Sequence, residues 1–299
     1  MKQAFFEQNR ALIVNINGTL VHRDQAAISP FDSAVQNGDA VWEGLRLYSG
    51  RIFKLTEHLN RLRDSARALA YADIPTNEAI TEQIQRTLSA NQMTDGVHIR
   101  LTLTRGVKYT SGMDPRVNIP GCTLIILAEH KPPVYDKTGL TLITAATRRI
   151  PPECLDQKIH SCNMLNSILA KIEANAAGAD DALMLDVRGF VAETNATHIF
   201  IVKHGEVVTP EAGSCPEGIT RATVIELCRR HGIPCVVRDM SLYEVHTADE
   251  MFCTGTMGEL APIARVDGRT IGDGMGGAMT ARLSALYAEL TRTEGVQVV

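Results

Sequence analysis

The chain has 299 residues, 44% of them hydrophobic and 21% charged, with a formal net charge of −4. That is room for two core-bearing domains, and the absence of a basic field excludes binding driven by nucleic-acid phosphates, leaving a small molecule as the expected partner. The amino-terminal stretch is broken by Glu7, Asn9 and Arg10, no apolar run reaches the ~18 residues of a membrane span, and the seven cysteines include no C-x-x-C pair. A cytoplasmic protein with reduced thiols and no membrane partner is expected.

In chain order, 11–16 and 19–22 flank Asn17-Gly18, the preferred two-residue hairpin turn. A second short pair, 41–48 and 51–55, turns at Ser49-Gly50. From Thr56, a plausible N-cap, Leu59, Leu62, Ala66 and Leu69 recur at helical spacing, with Arg61 off the stripe. Another helix follows Pro75 with Ile80, Ile84 and Leu88 on one face, then strands at 97–104 and 122–129. These elements are α+β rather than βαβ. Two prolines and a glycine in 131–139 mark a linker between a smaller domain, 1–130, and a larger one, 140–299.

The second half opens with a strand at 140–147. A helix from about 163 to 177 follows, and Leu165, Ile168, Leu169 and Ile172 are spaced for one buried face. Strands are expected at 182–187, 190–193, 198–202, 206–208, 233–237 and 251–254, with a helix from near Thr220 to His231-Gly232 and a last one at 278–292.

Local motifs sort unevenly. Gly272-x-Gly274-x-x-Gly277 has too little chain after it for a dinucleotide-binding βαβ unit and reads as a loop. His160-x-Cys162 offers two ligands where zinc wants three or four, so no metal is expected. Pro216-Glu217-Gly218-Ile219-Thr220 puts a glycine before a helix start, where open amides can cup an anion. Thr254-Gly255-Thr256-Met257-Gly258 adds a tight turn after a strand. Lys158 is either a solvated lysine or a desolvated amine able to condense with a carbonyl. Glu193 closes a strand, as a surface carboxylate or as the partner of a protonated ring nitrogen.

Lysine, carboxylate and two phosphate loops occur in the order of a known family. The chain resembles the fold type IV pyridoxal-phosphate enzymes, the class IV branched-chain and D-amino-acid aminotransferases, through 42–46 (WEGLR), 57–62 (EHLNRL), 158–171 (KIHSCNMLNSILAK), 189–200, 218–221 (GITR) and 255–260 (GTMGEL). The resemblance implies a two-domain α+β fold and a homodimer. It implies that Lys158 holds pyridoxal 5′-phosphate and shuttles the proton, and that Glu193 pairs with the ring nitrogen. Arg61, Ile219, Thr220, Gly255 and Thr256 are then expected to hold the phosphate, a task suited to arginine's planar fork.

The resemblance further implies transamination between an amino acid, most plainly a branched-chain L-amino acid, and a 2-oxo acid such as 2-oxoglutarate. D-amino-acid aminotransfer and an aminodeoxychorismate-lyase-like elimination are the alternatives. Arg100, Arg116 and the Thr256-Met257 amides are the expected carboxylate contacts, and Trp42 lines an apolar pocket. Three departures bear on substrate: Met164 and Asn37 stand where branched-chain enzymes usually carry tyrosines, and His198 where an asparagine is common. Methionine cannot donate the hydrogen bond that a tyrosine would.

Overall fold

Asn17 and Gly18 adopt φ of 51° and 81°, and Ser49 and Gly50 φ of 45° and 80°, so both sequence-predicted hairpins turn where expected. The computed structural model describes residues 5–135 and 137–299. Residues 1–4 of the smaller expected domain and Asp136 of the expected linker lie outside that description. Packing divides the chain into one unit of 2–132, 159–163 and 291–299, and another made chiefly of 133–158 and 164–290.

The first unit contains β1 (Ile13–Ile16), β2 (Thr19–His22), α1 (Ser33–Asn37), β3 (Ala40–Tyr48), β4 (Arg51–Ile52), α2 (Leu55–Ala68), α3 (Asn77–Ala90), β5 (Val97–Thr104) and β6 (Thr123–His130). Its seven-stranded sheet is antiparallel, ordered from the carboxy-terminal Val296–Gln297 strand through β4-β3-β5-β6-β1-β2. Ile80, Ile84 and Leu88 of α3 and Leu59 and Leu62 of α2 are buried in one core with Leu45, Leu47, Ile99 and Leu101 of the sheet. One boundary shifts. Helix α2 begins at Leu55, capped by Lys54 in the left-handed region at φ 55°, so Thr56 lies inside the helix and β4 is only two residues long. Segment 159–163 lies along β3, where the Trp42 amide donates to the His160 carbonyl at 3.0 Å and the Cys162 amide to the Ala40 carbonyl at 2.7 Å.

The second unit contains β7 (Leu140–Thr144), α4 (Leu165–Ala176), β8 (Asp181–Leu185), β9 (Val191–Thr194), β10 (His198–Lys203), β11 (Glu206–Thr209), α5 (Ile219–Arg230), β12 (Cys235–Val237), α6 (Leu242–His246), β13 (Glu250–Gly255), β14 (Glu259–Val266) and β15 (Arg269–Thr270), followed by α7 (Ala278–Thr293). Its sheet is mixed, in the order β12-β11-β10-β13-β14-β7-β8-β9, with parallel pairs at β11/β12, β14/β7 and β7/β8. β14 has no counterpart among the expected strands, and Pro262 within it is unusual for a strand flanked on both sides. The Gly272 to Gly277 stretch is a loop, as expected.

The expected buried stripe of α4 is overturned. Leu165, Ile168, Leu169 and Ile172 are 61%, 52%, 46% and 56% exposed. The inward face is Ser167, Ala170 and Ala174, small residues that let the helix sit close on β8.

Candidate active site

Glu193 stands on β9, which pairs with β8 through Met184, and is buried. It is a buried carboxylate, not a surface residue at a strand end. Arg149, also buried, places Nη2 in ion-pair contact with Glu193 Oε1. The guanidinium is anchored by Ser167 Oγ and the Thr194 carbonyl, both at 3.0 Å. The contact lacks hydrogen-bond alignment, and both Glu193 Oε1 and Arg149 Nε are left without a hydrogen-bond partner. Burial outweighs the Arg149 charge and raises the Glu193 carboxyl to about 7.

His198 Nδ1 lies 3.9 Å from Glu193 Oε2. Donor atoms of Glu193, His198 and Cys215 fall within 4.8 Å of one another, a grouping that no local spacing signals. Arg149, Arg221 and Lys158 all place positive charge near Cys215, so the surroundings suit an anion better than a dication.

Helix α5 is N-capped by Gly218, whose backbone is extended (φ −71°, ψ 121°) and which offers no side-chain cap. The first-turn amides are therefore open. A β-carbon on Gly218 would come within 2.2 Å of His198 Cδ2, so the histidine ring sits directly against the cap. His198 pairs with Thr254 across β10 and β13, and beside them Phe200 and Phe252 stack at 5.0 Å. Thr254 Oγ1 is buried without a hydrogen-bond partner. Thr220 is buried at the same helix end, and Gly255, Thr256 and Met257 form the turn after Thr254, where the Met257 carbonyl accepts from the Val134 amide at 3.0 Å.

Lys158 reaches this end as well, with Nζ 3.4 Å from Glu217 Oε1, but its side chain is 53% exposed. The desolvated amine offered by the sequence is corrected to a solvated, ion-paired one, because 151–158 runs as surface turns. Met164 caps α4 without a side-chain hydrogen bond.

The first unit gathers a second constellation. Arg61 grips Glu43 in a fork, Nε to Oε1 and Nη2 to Oε2, both at 2.7 Å. His58 Nδ1 meets Glu43 Oε2 at 2.6 Å, and His160 Nδ1 lies 3.4 Å from Oε1. Burial raises the Glu43 carboxyl, but Arg61, His160 and His58 together hold it well below the carboxylate range. Trp42 stacks on His160 at 4.4 Å, and Arg100 Cζ lies over the Trp42 ring, 3.5 Å from its centroid. Arg116 is not gathered here: its side chain is 89% exposed and paired with Asp114. Asn37 takes the Lys108 ammonium.

Sequence reasoning missed Arg149 and His58 as parts of these clusters, whereas Thr254 lies in the second phosphate loop it singled out. The Arg148-Arg149 pair before two prolines was the only available signal.

The class IV amino-transferase family model matches residues 40–266. This chain belongs to that family. It is 56% identical over 292 residues to branched-chain-amino-acid aminotransferase-like protein 2 of Arabidopsis thaliana, covering 97% of this chain and 52% of that protein. The chain thus spans about half the length of that relative. It is 40% identical to a putative branched-chain-amino-acid aminotransferase of Methanocaldococcus jannaschii, covering 95% of this chain and 98% of that one. The crystal structure of the branched-chain amino acid aminotransferase from Thermobaculum terrenum, in its PLP form, superposes with a TM-score of 0.84 at 27% identity, covering 95% of each chain. The chain therefore has the α+β, fold type IV architecture that its sequence boxes implied.

Proposed function

We propose that this class IV aminotransferase uses pyridoxal 5′-phosphate to move an amino group from a branched-chain L-amino acid to a 2-oxo acid such as 2-oxoglutarate. The observation that carries the reading is Glu193, a buried carboxylate ion-paired to Arg149 with its carboxyl raised to about 7. Such a group suits a protonated ring nitrogen. The open amides at Gly218-Ile219-Thr220 and the unpartnered Thr254 hydroxyl fit a phosphate equally well.

Pyridoxal 5′-phosphate, when bound, supplies an aldehyde that takes up amines and a pyridine ring that accepts the electron pair left by a departing proton. The residues divide the remaining work. Lys158 Nζ would be the amine that holds the cofactor's aldehyde end and the base that moves a proton at the substrate Cα. Glu193, steadied by Arg149, holds the proton at the ring nitrogen. Ile219, Thr220, Gly255, Thr256 and Arg61 bind the phosphate, and Arg61 is held ready by its fork on Glu43. Arg100 and the Thr256-Met257 amides take the substrate carboxylate, while Trp42 provides an apolar wall. Arg116 would have to release Asp114 to contribute.

The same reading includes a homodimer, supported by the exposed apolar stripe of α4, which is unusual on a surface that faces only water. A cytoplasmic setting is supported by seven free thiols, and no helix among the described residues is long and apolar enough to cross a membrane. The test is a panel of L- and D-amino acids incubated with protein, pyridoxal phosphate and 2-oxoglutarate, scoring the oxo acid formed. L-leucine, L-isoleucine or L-valine should be the best donors. Turnover of D-alanine without L-leucine would replace the donor assignment by the D-amino-acid alternative, and release of pyruvate without an acceptor would replace it by the lyase.

A further inference from the structure

Residues 131–139 have the prolines and glycine of a linker, yet the chain from Pro133 onward belongs to the second unit. There it is fastened to the turn that joins β13 to β14. The Val134 amide donates to the Met257 carbonyl at 3.0 Å, and a β-carbon on Gly258 would come within 2.3 Å of Tyr135 Cδ2, so the tyrosine ring lies directly on that glycine. Lys137 Nζ meets Glu259 Oε2 at 3.1 Å. Val134, Tyr135 and Lys137 thus engage Met257, Gly258 and Glu259 in step, and Glu259 takes a left-handed φ of 56°, which a glutamate adopts at a cost. Such a turn keeps its shape only while its surroundings hold it.

The tyrosine is itself anchored. Its hydroxyl donates to Asp181 Oδ2 at 2.6 Å, and Oδ1 of the same carboxylate is met by Asn195 Nδ2 at 3.2 Å and Lys171 Nζ at 3.1 Å. Asp181 opens β8 and is buried, where a charge-assisted hydrogen bond counts for more than at a surface. Burial, then Cys253 and Asp181, push the Tyr135 phenol well above its ordinary range, which keeps it a donor. Asn195 lies two residues past Glu193. Beyond it, Thr197 Oγ1 is 2.7 Å from Thr194 Oγ1, and a β-carbon on Gly255 would approach Thr197 Cγ2 at 3.2 Å. Both ends of the turn are therefore tied to the stretch that follows Glu193, one end through Thr197 and the other through Tyr135 and Asp181.

We infer that Tyr135 is a positioning residue: through its bond to Asp181 it fixes the 255–258 turn relative to the Glu193 strand and keeps the Thr256 and Met257 amides aimed at the substrate carboxylate. In giving those amides a substrate this rests on the aminotransferase reading, but the fastening of the turn can be measured without turnover.

The test compares cofactor-loaded wild type with Tyr135→Phe, which keeps the ring on Gly258 and deletes only the hydroxyl. Hydrogen–deuterium exchange read by mass spectrometry should show the peptide carrying 255–258 exchanging roughly tenfold faster, as expected for losing one hydrogen bond to a buried carboxylate, with the β10 peptide unchanged. The KM of the best amino donor should rise by a similar factor while kcat stays within about twofold. If Tyr135→Phe does not fold by circular dichroism, Gly258→Ala presses on the same ring from the other side and must give the same pair of changes. Unchanged exchange in the turn, acceleration spread evenly over the chain, or a fall in kcat without a rise in KM would each overturn the positioning role. Faster exchange confined to the turn, in a protein that transaminates no amino acid, would leave the fastening standing and overturn the aminotransferase reading instead.

Discussion

Arg149 and Glu193 form a buried ion pair in which the arginine, not the carboxylate, is the anchored member. The guanidinium is held by Ser167 Oγ and the Thr194 carbonyl, while Glu193 keeps an oxygen without a hydrogen bond. Removing the arginine therefore strands a buried acid. Arg149→Met should cost about 3–5 kcal/mol in urea unfolding, the range for breaking a buried pair. Adding Glu193→Gln to that variant should restore much of the loss, because no charge is then left unpaired. A double-mutant cycle with no coupling would show that the pair does not act as one.

The raised Glu193 carboxyl makes a pH prediction with a definite sign. Its folded-state value, about 7, lies above the ordinary 4.5, so the folded state binds this proton more tightly. The stability it lends is complete below about 4.5 and is lost as the pH rises through about 7. On the order of 3 kcal/mol is at stake. Thermal midpoints of the cofactor-free protein, compared between wild type and Glu193→Gln from about pH 4.5 to about pH 8, should diverge in favour of the variant as pH rises. Parallel profiles would mean that Glu193 stays ionised throughout.

Much of the fold was legible because its signals are local. Asn17-Gly18 and Ser49-Gly50 specify their own turns, and Ile80, Ile84 and Leu88 mark the inner face of α3 within a few residues of one another. The stripe on α4 misled for a physical reason: period 3.6 shows that a face is apolar but not what covers it, and here Ala170 and Ala174 are the residues packed inward. The candidate site divides in the same way. The glycine before α5 announced open amides, whereas the Glu43 fork and the Arg149 pair join residues from separate elements and leave no periodic trace.

Lys158 and Arg61 are assigned different tasks, and experiment can separate them. Borohydride reduction of the cofactor-loaded protein, followed by peptide mapping, should place the added mass on the peptide bearing Lys158. Lys158→Ala should abolish steady-state transamination while cofactor can still be retained non-covalently. Arg61→Ala should instead weaken cofactor affinity by roughly tenfold or more, since it removes a charge-assisted donor pair, with a smaller effect on the single-turnover rate at saturation. Label on another lysine, or the reverse pattern in the two variants, would overturn these roles.

The exposed stripe of α4 gives a prediction that does not depend on chemistry at all. Leu165, Ile168, Leu169 and Ile172 are each about half exposed or more, while the helix is held to its own unit by Ser167, Ala170 and Ala174. Replacing Ile168 with arginine should therefore leave the fold of the protomer intact, with stability changed by roughly 0.5 kcal/mol or less, as for surface substitutions generally. Self-association should suffer far more, because a charge placed inside an apolar interface must be desolvated without a partner. Analytical ultracentrifugation should show wild type as a dimer and Ile168→Arg shifted to monomer at the same concentration, with unchanged circular dichroism. A wild type that sediments as a monomer at every concentration would reject the homodimer. A variant that stays dimeric would place the interface on another face of the molecule.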